Sequence, residues 1–136
     1  CKIIYPTDFL VGKNLNDFSN NRKINEIEND DIILDIGLET IKSIKNIINN
    51  SKTILWNGPA GYFENINFSK GTLSIAENIS KNTINDSLIS VLGGGDTLAA
   101  INKSKNKLSF SHLSTAGGAF LEYLEGKDLP GISVLK

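Results

Sequence analysis

Glycine-rich turns at four places in the chain carry the residues whose types and spacing could bind a phosphorylated ligand. The turns cover residues 35–37, 56–61, 93–97 and 114–118. Glycine lets a backbone approach a ligand closely, and a turn that leads into a helix offers free N–H groups and a favourable dipole to an anion. These turns therefore predict a phosphate-binding role, although any one of them could be structural. A dinucleotide fingerprint is excluded because Leu98 occupies its third glycine position, and no Walker A motif is present.

Two carboxylates and three ring side chains near these turns have both a functional and a structural interpretation. Asp96 follows three glycines, so it could cap a helix or hold Mg²⁺ together with nucleotide phosphates. Glu64 could hold the hydroxyls of a ribose, or be a solvated loop charge. Trp56 and Tyr62 could form an adenine platform, but core packing is the commoner role for such aromatics. His112 is interpreted as a packed, hydrogen-bonded residue rather than a catalytic one.

The predicted elements alternate in a way that would bring the turns together at one edge of a sheet. Apolar runs predict strands at residues 3–6, 32–36, 53–56, 88–92 and 110–113, with a short further strand at 23–27. Apolar spacing of three and four residues predicts helices over 38–49, 69–80, 97–105 and 117–125. The alternation predicts an α/β fold, an open, Rossmann-like parallel sheet with helices on both faces. Ligands of such sheets bind beyond the carboxyl ends of the strands.

Composition narrows the class of protein further. The 136 residues carry a net charge of −1 with one Cys, one His and no Met. Mixed charges give no electrostatic footprint for nucleic acid, one Cys forms no internal disulfide, and no apolar run is long enough to cross a membrane. The lysines at 103, 105 and 107 are interpreted as a solvated helix end. The missing Met and the apolar start at residues 1–5 lead us to expect the later part of a longer protein.

Five segments in register resemble the phosphoglycerate kinase family, and together they cover essentially the whole chain from Ile3 onward. They are residues 54–64, 68–72, 93–97, 112–119 and 121–131. The resemblance implies a two-domain glycolytic enzyme that transfers a phosphoryl group between 1,3-bisphosphoglycerate and MgADP, giving 3-phosphoglycerate and MgATP. It places residues 1–136 as a fragment of the C-terminal, nucleotide-binding domain, whereas the phosphoglycerate is bound by the N-terminal domain across a hinge.

The same resemblance implies roles for five residues around the nucleoside. Asn57 and Pro59 would line the phosphate and ribose side of the nucleotide. Glu64 would take the ribose hydroxyls, while Gly37 and Tyr62 would border the adenine pocket.

A second group of residues would face the phosphates, again as the resemblance implies. Asp96 would hold the Mg²⁺ of the nucleotide, and Thr97 would cap the helix that faces the phosphates. The backbone amides that would face the transferring phosphoryl group are those of Gly94, Gly95, Gly117 and Gly118.

Several parts of the family pattern have no counterpart in residues 1–136: a first nucleotide loop with its lysines, a basic patch for phosphoglycerate, and a catalytic arginine. We therefore expect no turnover from the isolated chain. Two alternatives are a non-catalytic module that binds adenine nucleotide, and a structural fragment whose exposed sheet edge aggregates. The parent enzyme is expected to be a cytoplasmic monomer that binds neither nucleic acid nor membrane.

Overall fold

Two three-stranded sheets with flanking helices make up the computed structural model, which describes residues 1–135. The first sheet is antiparallel, with the order β2-β1-β3, and the second is parallel, with the order β4-β5-β6. The strands are β1 Asp8–Gly12, β2 Asn20–Lys23, β3 Ile32–Ile36, β4 Thr53–Asn57, β5 Ile89–Gly93 and β6 His112–Ser114. The helices are α1 Leu38–Asn49, α2 Lys70–Ile84, α3 Gly95–Ile101, α4 Gly118–Leu124 and α5 Pro130–Ser133.

The main core lies between the parallel sheet and the two longest helices. Helix α1 contributes Ile41 and Ile48, and α2 contributes Ile75 and Ile79, each pair spaced so that it falls on one helix face. Leu92 of β5 is fully buried among them. Trp56 packs against this core from β4, as its core interpretation predicted. This packing fixes α1, α2 and the parallel strands relative to one another.

The predicted α/β class, with a parallel sheet flanked by helices, is confirmed, and α1 has the predicted bounds. The pairing of β3 differs from the prediction. It runs antiparallel to β1 in the first sheet and does not join the parallel strands. The strand predicted at residues 3–6 is wrong: the strand begins after Pro6, at Asp8. The short strand predicted at 23–27 is also displaced, since β2 ends at Lys23 and a 3₁₀ turn follows.

The elements near the C-terminus are shorter than the sequence predicted. Helix α3 ends at Ile101 rather than near 105, and β6 spans only three residues. The one-turn helix α5 was not predicted, although Pro130 stands at its first position, where proline is favoured. Of the helices in residues 1–135, none combines the length and apolar character that a bilayer crossing requires.

Candidate functional site

The carboxyl ends of the three parallel strands lie level with one another. Asn57 at the end of β4 pairs with Gly93 at the end of β5, and Gly93 pairs in turn with Ser114 at the end of β6. Because the strands are parallel and in register, the turns that follow them meet at one edge of the sheet. This edge is where the sequence predicted a ligand site.

The turns after β5 and β6 touch through their backbones. Gly94 has a φ of 98°, a conformation that favours glycine. A Cβ at Gly117 would lie 3.3 Å from the Cα of Gly94. The N–H of Gly94 donates to the carbonyl oxygens of Ser114 and Ala116, both at 3.2 Å. The expectation that this amide faces a phosphoryl group is therefore corrected, because its donor is already used within the protein.

The Asn57 side chain fills the space that glycine leaves in these turns. A Cβ at Gly94 would come within 2.9 Å of the Asn57 Oδ1 atom, and one at Gly93 within 3.3 Å of it. By contrast, a Cβ at Gly95 or Gly118 would meet no atom within 4 Å. We call Asn57, residues 93–95 and residues 116–118 the glycine cluster; Gly95 and Gly118 are its open positions.

Thr97 joins the turn after β4 to helix α3. Its side chain is buried, and its hydroxyl accepts the N–H of Gly58 at 2.8 Å. The N-cap of α3 is Gly94, and no side chain caps this helix. The expectation that Thr97 caps α3 is therefore wrong, because its hydroxyl is bonded to the Gly58 backbone instead. Thr97 holds residue 58 against the glycine cluster.

Asp96 stands exposed on the first turn of α3, beside the open Gly95. Within residues 1–135 its carboxylate has no hydrogen bond or ion pair, so both of its oxygens are available to a ligand. A single free carboxylate beside an open glycine turn fits Mg²⁺, which commonly takes one or two carboxylates and completes its shell with phosphate oxygens and water. The donor set at Asp96 is therefore compatible with a metal–nucleotide complex.

Pro59 and Tyr62 are not part of the glycine cluster. They line a hollow beside it. The hollow has a volume of about 360 Å³ and includes residues 59–62, residues 33–36, Pro6 and Phe9. Tyr62 packs partly buried against the second core cluster, formed by Leu10, Leu34 and Phe68. Its N–H donates to the carbonyl of Leu34 at 2.6 Å. The loop at 59–62 is thus anchored on β3.

Asp35 lies under this loop, and no pattern in the sequence predicted a role for its side chain. It is only 2% exposed, and its two oxygens accept the N–H groups of Gly71 at 2.7 Å and of Ile36 at 2.8 Å. Burial raises the pKa of Asp35 to about 6, and the two backbone hydrogen bonds oppose that rise only in part. Asp35 is therefore a buried carboxyl group at the junction of β3, α2 and the loop.

Gly37 and Glu64 lie outside the glycine cluster. Gly37 is buried at the start of α1, where a Cβ would come within 2.2 Å of the Asp8 carboxyl carbon. Glu64 is exposed, and its backbone carbonyl accepts Lys103 Nζ at 3.2 Å. Lys103 is exposed just after the end of α3, as the interpretation of a solvated helix end predicted, and its Nζ lies 5.1 Å from the centre of the Phe63 ring. His112 is exposed, which makes the prediction of a packed histidine wrong.

A compact acidic group lies away from these turns. Ligand oxygens of Glu28, Asp30 and Asp31 lie within 4.8 Å of one another. Lys13 Nζ bonds all three, at 2.9, 2.7 and 2.9 Å, and Arg22 pairs with Glu28 and Asp31. The two basic side chains offset two of the three negative charges, and the network ties together the polar connections around β1, β2 and β3.

Comparison with known proteins adds sequence and structural relatives to this geometry. A family model described as phosphoglycerate kinase matches residues 1–127. A phosphoglycerate kinase of Xanthobacter autotrophicus is 44% identical over 138 residues, which cover 100% of this chain and 35% of that protein. One from Wolbachia pipientis subsp. Culex pipiens is 47% identical over 135 residues, or 97% of this chain and 34% of that protein. The chain thus spans about a third of the length of these relatives.

Two solved structures are similar to this fold. The phosphoglycerate kinase of Coxiella burnetii superimposes with a TM-score of 0.84 at 39% identity, over 96% of this chain and 33% of that one. The phosphoglycerate kinase of Pyrococcus horikoshii OT3 superimposes with a TM-score of 0.77 at 34% identity, over 96% of this chain and 31% of that one.

Proposed function

The chain belongs to the phosphoglycerate kinase family, and from that premise we propose that it supplies part of the nucleotide side of a glycolytic kinase. The proposed reaction is the reversible transfer of a phosphoryl group between 1,3-bisphosphoglycerate and MgADP, giving 3-phosphoglycerate and MgATP. The observation that carries the proposal is the glycine cluster, where Asn57 and two glycine turns meet at the carboxyl edge of the parallel sheet. Such an edge is the usual ligand site of an open α/β sheet.

The nucleoside is assigned to the side of the cluster that holds residues 57–64. Asn57 and Pro59 are proposed to line the phosphate and ribose side, and Glu64 to accept the ribose hydroxyls. Tyr62 is proposed to border the adenine through the hollow it shares with Pro59. Gly37 completes the adenine border in this proposal, although its nearest contacts are with Asp8.

The phosphates are assigned to the open positions of the cluster and to the neighbouring Gly117. The amides of Gly95, Gly117 and Gly118 are proposed to face the transferring phosphoryl group, with Gly94 shaping the turn through its backbone. A preorganised donor aimed at developing charge contributes about 3 kcal/mol to catalysis. Asp96 is proposed to hold Mg²⁺, which would neutralise charge on the nucleotide phosphates. Thr97 supports this arrangement by fixing Gly58.

The cationic part of the site is proposed to lie outside this chain. The side chains of Asn57, Thr97 and Phe120, which contact the turns of the glycine cluster, are neutral, and Asp96 beside Gly95 is anionic, so none of them supplies a cation. Phosphoryl transfer depends on cations that stabilise the charge of the equatorial oxygens. We therefore propose that residues 1–136 form a fragment of the nucleotide-binding domain of a cytoplasmic, monomeric enzyme, that phosphoglycerate binds elsewhere in it, and that the isolated chain is at most a nucleotide-binding module.

A coupled assay of ATP formation with the full-length parent and with residues 1–136 tests both parts of this proposal. The parent should turn over, and the isolated chain should not, because the proposal places the cationic groups for the transferring phosphoryl in other parts of the enzyme. Titration calorimetry with MgADP then measures whether the isolated chain binds nucleotide weakly. Turnover by the isolated chain would contradict the assignment of essential groups to other parts of the enzyme.

Substitution of Asp96 in the parent tests the metal assignment. Asp96→Ala should lower kcat/KM for MgADP by at least about 100-fold, and excess Mg²⁺ should restore part of the loss. Asp128→Ala, which removes an exposed carboxylate outside the glycine cluster, serves as the matched control and should change kcat/KM less than about twofold. Activity of Asp96→Ala within a few-fold of wild type would remove Asp96 from the metal site.

A further inference from the structure

Helix α2 begins without a side-chain cap of its own. Its N-cap residue is Ser69, but the Ser69 hydroxyl donates to the carbonyl of Ile66 at 3.0 Å instead of accepting a helix N–H. The acceptor comes from β3: Asp35 Oδ2 accepts the N–H of Gly71 at 2.7 Å. A carboxylate is favoured at a helix N-terminus by the free N–H groups and by the helix dipole. Asp35 therefore joins β3 to the first turn of α2.

The loop at residues 59–62 is hydrogen-bonded to this junction. The Thr72 hydroxyl, on the first turn of α2, accepts the N–H of Ala60 at 3.0 Å and of Gly61 at 3.3 Å. A Cβ at Gly61 would lie 2.3 Å from Asp35 Oδ1, so the loop backbone rests directly on the carboxyl group. With the bond from the Tyr62 N–H to Leu34, successive residues of the loop are held in one conformation.

Both groups that hold the loop are removed from solvent. Thr72 is fully buried and Asp35 is 2% exposed, whereas Pro59, Ala60, Gly61 and Tyr62 are half-buried. No ion pair compensates the Asp35 carboxylate within the part of the chain that the structure describes. Burial of this charge has a desolvation cost, which the hydrogen bonds from Gly71 and Ile36 offset only in part. The carboxylate nevertheless lies where it fixes the first turn of α2 under the loop.

We propose that Thr72 and Asp35 are positioning residues for the nucleotide, which act by fixing the 59–62 loop on which the ribose and base would rest. The inference depends on the proposed function, because it takes the loop to be part of the nucleotide site. Neither residue touches the ligand in this proposal. Thr72 sets the position of the Ala60 and Gly61 amides, and Asp35 sets the start of α2 and therefore Thr72 itself.

Substitutions at Thr72 in the full-length parent separate this role from a general effect on folding. Thr72→Val keeps the branched shape but removes the acceptor of two loop N–H groups, which would then turn towards water and displace the loop. The Kd for MgADP should rise about tenfold, because the nucleotide would have to order a loop that is no longer held in place. Thr72→Ser keeps the hydroxyl and should stay within about threefold of wild type. The KM for the phosphoglycerate substrate should not change in either variant.

Ser90→Ala is the matched control for a buried hydroxyl. Ser90 is fully buried in β5 and its hydroxyl accepts the N–H of Ser111 at 3.1 Å, towards the amino end of the parallel sheet. It should lower the melting temperature to a similar extent as Thr72→Val and leave the Kd for MgADP unchanged. If Thr72→Val does not fold, Asp35→Asn takes its place: its Kd for MgADP should rise, and its KM for the phosphoglycerate substrate should not change.

The outcomes distinguish this inference from the proposed function. A wild-type parent that binds no MgADP contradicts both. A wild type that binds MgADP, with Thr72→Val at the same Kd, contradicts the positioning role alone. Equal losses for nucleotide and phosphoglycerate, or equal losses for Thr72→Val and Thr72→Ser, also contradict it, because they would show a general loss of structure.

Discussion

The raised pKa of Asp35 makes one carboxyl group a measurable reporter of the junction under the loop. Its pKa in the folded protein is about 6, against an ordinary value of 3.8, so the folded state binds more protons than the unfolded state between these pH values. The contribution of this group to the free energy of unfolding therefore falls as the pH rises from about 4 to about 6. A shift of about 2 pKa units corresponds to about 3 kcal/mol.

Asp35→Asn should remove this contribution. Other carboxylates, such as Asp8 and Asp31, have lowered pKa values and act in the opposite direction, so the test is the difference between variant and wild type. In urea unfolding of the same protein at pH 4 and pH 7, the stability of Asp35→Asn relative to wild type should increase with pH, by about 2–3 kcal/mol in total. A difference that is independent of pH would show that Asp35 does not titrate in this range.

Strand residues cap both long helices of this fold. Gly37, the N-cap of α1, has no side chain, and Asp8 of β1 replaces it by accepting the N–H groups of Glu39 at 3.0 Å and Thr40 at 2.8 Å. Burial alone would raise the pKa of Asp8, but these bonds, with the Thr40 hydroxyl and the Asn21 amide, lower it overall. Asp35 has the corresponding place at α2. In both cases a glycine, Gly37 or Gly61, leaves the room that the carboxylate fills.

Loss of the Asp8 cap should destabilise the α1 junction. Asp8→Ala removes the acceptor of two helix N–H groups and leaves the Thr40 hydroxyl without its carboxylate partner. The free energy of unfolding should fall by about 2 kcal/mol or more. Glu39→Ala, an exposed change on the same helical turn, should alter it by less than about 0.5 kcal/mol. Chemical denaturation of both variants makes the comparison, and equal effects would show that Asp8 is not the cap.

Local patterns in the sequence predicted α1, β4 and β5 well, because their apolar spacing and glycine turns lie within a few residues. They did not predict β1, although Phe9, Leu10 and Val11 form an apolar run after Pro6, nor its antiparallel pairing with β3. The turns of the glycine cluster are local motifs that the sequence identified, and the parallel sheet brings them to one edge. The carboxylates of Asp8 and Asp35 were not identified, because their bonds join residues 32 and 36 positions apart. Such contacts depend on the packing of the whole domain.

Two of the exposed apolar areas of the chain are its first residues and the parallel sheet. Ile3 and Tyr5 are 83% and 75% exposed, and Leu55 of β4 is 49% exposed. Within residues 1–135, β4 pairs with β5 alone, so the backbone groups on its other side have no strand partner. The proposed function accounts for both places, since further parts of a larger enzyme would cover them.

The free side of β4 should therefore cause the isolated chain to associate. Unpaired ladder groups next to an exposed leucine favour pairing between copies, and a charged side chain on an edge strand prevents it. Light scattering after size exclusion at about 10 and 200 μM should show that the mean mass of wild type rises with concentration. Leu55→Lys should remain monomeric, whereas Ile84→Lys, a matched change at an exposed isoleucine on α2, should associate as wild type does. If Leu55→Lys still associates, the association occurs through another surface. If wild type is monomeric at both concentrations, the chain itself blocks the β4 edge.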